Sequence, residues 1–348
     1  MNQTLNGIRR ILITILVAMG VGALFIVAIG ENPIDAYAAL FRGAFDGKLR
    51  LGTTLAGFTP LLLTSIAFAV AAKAGAFNVG VEGEVFLGGI TAAYIGINWT
   101  FLPKPALYVA CFVGAMVVAA AWAFIPAVLR AYYNVNEVCT TILMNTVALY
   151  ITSYLVSGPM SAGTANAQSL PVTVRLYQFM KPSSVNVGIF IAAITVIVII
   201  FMLQKSSWGY KIRTVGLNPT HADYVGIDSK KVFVGAMMLS GMLGGMAGCI
   251  EVLGVHGYFL NNFATGLGSN GMLAALIVKN NMVSTPFMAF FLAVLKSGAM
   301  GMQQSTGVPK SLVDTITAVF IIIATMETAF QFAKKRKKKT EEKKEDKA

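Results

Sequence analysis

Ionisable side chains are scarce in this chain, so the few that stand inside apolar stretches are the first places to look for chemistry. In GAFNVGVEGEVFLGG, residues 75–89, Asn78, Glu82 and Glu84 sit among small and apolar neighbours. Ionised groups at membrane depth are costly and normally face a cavity or a partner. Asn78 and Glu82 are four apart, so a helix running through both would put them on one face and point Glu84 elsewhere. Two uses are open to them: contacts between helices near the headgroups, or a path for a polar solute. The glycines at 75, 80, 83, 88 and 89 let a second backbone approach or let the helix break.

A second polar stretch is NVNEVCTTILMN, residues 134–145. Asn136 is a good N-cap and Glu137 suits a first helical turn. Thr141 and Asn145 are again four apart and deeper, facing a pore or a neighbouring helix. Lys296, in FFLAVLKSGAMG, is the basic residue that falls well inside a predicted span; it can meet a polar substrate, pair with an acid or snorkel to an interface. Glu251 and His256 end a predicted span and read as satisfied polar groups. Motifs for catalysis are missing. DGKL at 46–49 lacks the earlier glycine and the following hydroxyl of a phosphate-binding loop, neither His221 nor His256 belongs to HExxH, and GLGSNG at 266–271 follows no strand. Cys111, Cys139 and Cys249 are odd in number and lack CxxC spacing, which favours neither a disulfide framework nor zinc. The chain is expected to bind no cofactor or metal and to be no enzyme.

The elements that must position these residues are apolar helices. Of 348 residues, 56% are hydrophobic and 12% charged, with mean hydropathy +0.70; a soluble domain is about a quarter charged. The expected fold is all-α, a polytopic membrane protein with about ten transmembrane helices, some broken or re-entrant. The predicted spans are 10–30, 53–73, 77–97, 105–130, 137–157, 187–204, 232–254, 264–280, 285–303 and 311–333. Threaded from a cytoplasmic amino end, they put Lys73, Arg130, Lys205, Lys211, Arg213, Lys230, Lys231 and Lys279 on the cytoplasmic side, with the carboxyl end. Arg42, Lys48, Arg50, Lys104, Arg175, Lys181 and Lys310 fall opposite. Residues 334–348 form a basic tail with nine basic and four acidic groups, +5 of the net +12. Such a tail beside a final span faces anionic lipid, and nucleic-acid binding is not expected. External segments 31–52 and 158–186 are long; each is either a surface for a soluble partner or, respectively, an interfacial helix and a loose loop. The glycine-rich 264–280 reads as a broken or re-entrant helix.

Between two apolar runs lies VGLNPTHADYVGIDSKK, residues 215–231. Asn218 is an N-cap, Pro219 fits the first helical position and Gly226 can close the helix in the left-handed conformation. About two turns do not persist alone in water, so something must dock against them.

Three motifs then occur in order: GAFNVGVEGEVFLGG; NEVCTTILMN; and GYKIRTVGLNPTHADYVGIDSKKVFVGAMMLSGMLGGMAGCIEVLGVHG with GSNGMLAALIVKNN after it. Together they resemble the permease subunits of bacterial ABC importers for nucleosides and simple sugars, in the branch served by basic-membrane-lipoprotein binding proteins. The resemblance runs from Gly52 to Phe332. It implies a plasma-membrane permease domain over residues 1–333, a second and different permease subunit beside it, a cytoplasmic ATPase that holds ATP and Mg, an extracellular substrate-binding lipoprotein, and a nucleoside substrate, with ribose or another simple sugar as the alternative. It also implies that Asn218, Pro219, His221, Ala222, Tyr224, Gly226 and Ile227, within a cytoplasmic segment 205–231, form the helix that couples to the ATPase. Asn78, Glu82, Glu84, Thr141, Asn145 and Lys296 are the candidates for the translocation path. An ion-coupled secondary transporter using Glu82, Glu84 and Lys296 is the rival mechanism.

Overall fold

Helices are the regular elements of the residues that the computed structural model describes, namely 19–28, 30–306, 311, 314, 315 and 318. Lipid cannot satisfy backbone N–H and C=O groups, whereas a helix pairs them within its own segment.

The chain divides into two units. The first, residues 1–45 and 295–348, holds α1 (Met19–Ala28), α2 (Pro33–Phe45) and the second half of α12 (Thr285–Thr306). Asn32 opens α2, its Oδ1 accepting from Ile34 N at 3.0 Å and its Nδ2 donating to Asp35 Oδ2 at 2.8 Å. Ile26, Ala36, Leu40, Ala299 and Met302 form the apolar core of this unit. A Cβ placed on Gly43 would lie 2.7 Å from Gly301 Cα, so α2 and α12 touch backbone to backbone.

The second unit, residues 46–294, contains α3 (Gly47–Lys73), α4 (Val81–Asn98), α5 (Lys104–Tyr133), α6 (Glu137–Ser157), α7 (Gly188–Lys205), α8 (Ser207–Leu217), α9 (Pro219–Tyr224), α10 (Ser229–Ile250) and α11 (Leu267–Ile277). α10 runs on as a π-helical turn, Glu251–His256, which ends at Gly257 with φ +78°. α3, α4, α5 and α10 pack against one another at its centre. Lipid tails are as apolar as leucine, so such helices gain stability mainly from close contact, which small residues permit. α10 supplies four glycines for this. A Cβ on Gly241 would stand 2.6 Å from the Ala119 carbonyl of α5, and one on Gly248 would overlap the Val85 carbonyl of α4.

Among the described residues, six helices are long and apolar enough to cross a membrane: Gly47–Lys73, Lys104–Tyr133, Glu137–Ser157, Gly188–Lys205, Ser229–His256 and Thr285–Thr306. They become seven if α1 and α2, bent by 115°, count as one span. The described residues thus meet the expectation of about ten only in part. Two predicted spans fall short for physical reasons: α4 carries two carboxylates in its first turn, and α11 has 11 residues. The predicted spans 10–30, in part, and 311–333, in nearly its whole length, lie outside the described residues, as does the tail.

Both long segments differ from a loose loop. Residues 31–52 are mostly helix, because α2 fills them and α3 starts at Gly47. Residues 158–186 are tied to the end of α10: Ser169 N donates to Phe259 O, Val172 N to Gly257 O and Leu176 N to Leu253 O, each at 2.9 Å. Gln178 Nε2 adds a 2.9 Å bond to Gly254 O. The π turn leaves carbonyls without helical partners, and this segment pairs them.

Candidate functional site

The first cluster gathers around the start of α4. Asn78 lies in the turn before the helix rather than within it, so the expected Asn78–Glu82 face is not formed. Its Oδ1 instead accepts from Gly80 N at 2.9 Å, while its Nδ2 donates to Glu84 Oε1 and to Ser240 Oγ on α10, both at 2.9 Å. Asn78, Glu84 and Ser240 are all buried. Glu84 Oε2 is buried without a hydrogen-bond partner among the described residues and packs where a Cβ on Gly244 would be 2.9 Å away. These groups bind α4 to α10. Glu82 turns toward α11, accepting from Ser269 Oγ at 3.3 Å, and stays partly exposed.

Thr141 and Asn145 face a neighbouring helix, one of the two destinations left open by their spacing. Asn145 Oδ1 accepts from Gly83 N and its Nδ2 donates to Val79 O, each at 2.8 Å. A side chain on α6 thereby caps the first turn of α4, where N–H groups lack helical partners. Thr141 is buried beside Gly80 and returns its hydroxyl to Glu137 O at 2.7 Å. Asn136 caps α6 as expected, accepting from Val138 N at 2.9 Å, and Glu137 pairs with Arg130 at 3.1 Å. Glu251 and His256 meet at 3.6 Å. Lys296 is exposed on α12 and belongs to the other unit.

The second cluster is the short helix α9, six residues long. Asn218 Oδ1 accepts from His221 N at 3.0 Å, Pro219 occupies the first position, and Gly226 has φ +80°, as the residue types require. Ala222 and Ile227 are buried in the core with Ile212 and Val215 of α8. His221 and Tyr224 point outward, Tyr224 with 86% of its surface exposed. Asp223 accepts from Ser229 N at 2.9 Å and from its hydroxyl at 3.0 Å, which ties α9 to the start of α10. Asp228 caps α10 through Lys231 N at 3.0 Å; that N–H and the Lys231 ammonium hold its carboxyl below the usual carboxylate range. α8 in turn abuts the end of α3, where Gly216 leaves no room for a Cβ against the Lys73 carbonyl. A groove of about 500 Å³ beside α9 is lined by Lys205, Ser206, Tyr210, Lys211, Arg213 and Ile227. α9 is thus in contact with α8 and α10, and through α8 with the end of α3. No group of three or more His, Cys, Asp or Glu side chains among the described residues has the geometry of a metal site.

Residues 50–325 match the family described as "Branched-chain amino acid transport system / permease component". The chain belongs to this permease family. Three relatives are similar over nearly all of the permease. "Guanosine ABC transporter permease protein NupP" of Bacillus subtilis is 33% identical over 94% of the chain and 96% of its own length. "Glucose ABC transporter permease protein TsgB13" of Haloferax volcanii is 32% identical over 89% and 85%. "Nucleoside ABC transporter permease protein NupB" of Lactococcus lactis is 30% identical over 92% and 91%. Family and apolar helices together make the permease a multi-pass protein of the plasma membrane.

Two parts of these clusters escaped sequence reasoning. Ser240 and the Asp223–Ser229 link are ordinary polar residues with no motif around them.

Proposed function

We propose that this permease is the membrane-spanning subunit of an ATP-driven importer that carries nucleosides into the cell. The near full-length similarity to a guanosine permease is the observation that carries this reading, and a second relative named for nucleosides supports it. The similarity to a glucose permease favours a simple sugar as the alternative. About ten helices with both ends in the cytoplasm, spanning residues 1–333 with a basic tail at 334–348, fit the pattern of basic residues.

In this reading a separate cytoplasmic ATPase holds ATP and Mg and seats α9 in a groove of its own. Asn218, Pro219 and Gly226 keep α9 helical, Ala222 and Ile227 fix it to α8 and α10, and His221 and Tyr224 meet the ATPase. ATP binding closes the ATPase pair and moves α9, and the tethers to α3 and α10 switch the permease between inward-facing and outward-facing states. The permease relays a bias that arises from the ATPase's differential affinity for ATP in two states. A second, different permease subunit completes the path, and an extracellular lipoprotein delivers substrate. Glu82, partly exposed, borders the path, whereas Asn78, Glu84, Thr141 and Asn145 hold the helices that form it.

Uptake of labelled guanosine, cytidine and ribose by cells lacking this subunit tests the cargo. Loss of guanosine or cytidine uptake is expected, and unchanged uptake of all three overturns the reading. An ion-coupled carrier would instead move solute alone, driven by an ion gradient and indifferent to ATP. Association with the ATPase should fail when Pro219, Ala222 and Gly226 are disrupted together; survival of both association and transport-linked ATP hydrolysis refutes the coupling assignment.

A further inference from the structure

Among the described crossing helices α6 is the least enclosed, with 17% of its most apolar stretch buried against 78% for α3. Its inner stripe, Thr141, Ala148, Thr152 and Val156, is buried and Asn145 bonds α4 from it. The stripe directly opposite at helical spacing is Cys139, Leu143, Thr146, Tyr150 and Tyr154, all exposed. Ile142, Val147 and Ile151 flank it.

The neighbouring crossing helices expose something different. From Val109 to Ile125 every exposed residue of α5 is apolar, and the same holds for α7 from Phe190 to Phe201. Those faces suit lipid. On α6, by contrast, Thr146 lies nine residues past Glu137, about 14 Å along the helix and close to its middle. Thr140, Thr141 and Thr152 return their hydroxyls to carbonyls of their own helix, while the Thr146 and Tyr150 hydroxyls make no hydrogen bond among the described residues. An unpaired hydroxyl at hydrocarbon depth is costly, so this face calls for water or a polar solute rather than acyl chains.

We infer that the outer stripe of α6 is a wall of the translocation path, and that Thr146 and Tyr150 are specificity-determining contacts for the solute. The inference rests on the nucleoside reading above for the chemistry of that solute. The Tyr150 ring offers a platform on which a base stacks. The Thr146 hydroxyl donates to or accepts from a sugar or base heteroatom, and Leu143 covers the apolar side.

The test uses the assembled transporter in membrane vesicles. Cys139 is the exposed native thiol, while Cys111 and Cys249 are buried, so single cysteines are introduced in a Cys139→Ser background. Thr146→Cys and Tyr150→Cys are compared with Ile197→Cys on the apolar face of α7, using a charged methanethiosulfonate reagent that reacts with thiolates in water. Residues 146 and 150 should react at least about tenfold faster than 197, and guanosine should slow them. Reaction no faster than at 197 overturns the inference, as does fast reaction that guanosine, ribose and glucose all leave unchanged. Protection by glucose or ribose but not guanosine upholds α6 as the wall and refutes the nucleoside reading instead. In transport, Tyr150→Leu should raise the half-saturating guanosine concentration by roughly tenfold, the loss expected for one stacked base, while Tyr150→Phe keeps it near wild type. Equal effects of Leu and Phe overturn the stacking role.

Discussion

Tyr224 offers a direct way to separate docking from folding. It sits on α9 with 86% of its surface exposed, while Ala222, two residues earlier, is fully buried. Replacing Tyr224 with alanine should leave the fold intact, because surface substitutions away from caps and cores change stability by within about 0.5 kcal/mol. Its value to a partner is larger. An aromatic side chain of its kind offers about 200 Å², of which roughly 170 Å² is free here, and at about 25 cal/mol per Å² the ceiling is about 4 kcal/mol. Interfaces realise part of such a ceiling, and a central aromatic anchor contributes about 2 kcal/mol, or roughly 30-fold in affinity. We therefore expect Tyr224→Ala to weaken binding of the ATPase subunit by roughly 30-fold, with substrate-stimulated ATP hydrolysis falling at limiting ATPase and recovering when ATPase is added in excess. Tyr224→Phe should stay near wild type. The assay is titration of the labelled ATPase subunit onto the permease in lipid nanodiscs, with a melting curve on the same sample. Affinity within about threefold of wild type in Tyr224→Ala, at unchanged melting temperature, would refute the outward face of α9 as the docking surface.

Other expectations concern how the helices are held. Asn145→Ala strands the Gly83 N–H and the Val79 carbonyl, so thermal unfolding of the purified permease should show a loss of about 2 to 4 kcal/mol. Gly248→Ala sets a methyl against the backbone of Val85 and Gly89 and should cost about 1 to 3 kcal/mol or more, whereas Gly57→Ala, with open space at its Cβ in α3, should stabilise by about 0.5 to 1 kcal/mol; paired melting curves check both. Asp228 has a carboxyl whose folded value is lowered, so its contribution is complete above the ordinary carboxylate range and is lost as pH falls through the lowered value. The melting difference between wild type and Asp228→Asn should accordingly shrink on acidification from neutral pH, and a difference that does not change with pH would contradict the cap.

What the amino-acid sequence determined by itself was local or compositional. Hydropathy settled the helical membrane class, and the caps of α6 and α9 are legible because their donors and acceptors lie within three residues of each other. The motif order also pointed to the permease family before any contact was visible. Tertiary structure decided the remainder. Asn78 meets Ser240 across 162 positions and Asn145 meets Gly83 across 62, so no spacing rule reaches them. Periodicity placed Asn78 and Glu82 together, yet the helix begins at Val81 and the turn before it redirects Asn78 to Glu84. The 158–186 segment reads as a loop from composition, but the π turn ending α10 leaves carbonyls for it to pair. Which stripe of α6 is covered, and which hydroxyls are left without partners, depended on what packs beside it. A side chain's periodicity names the face it shares, and only the neighbouring helices determine what that face meets.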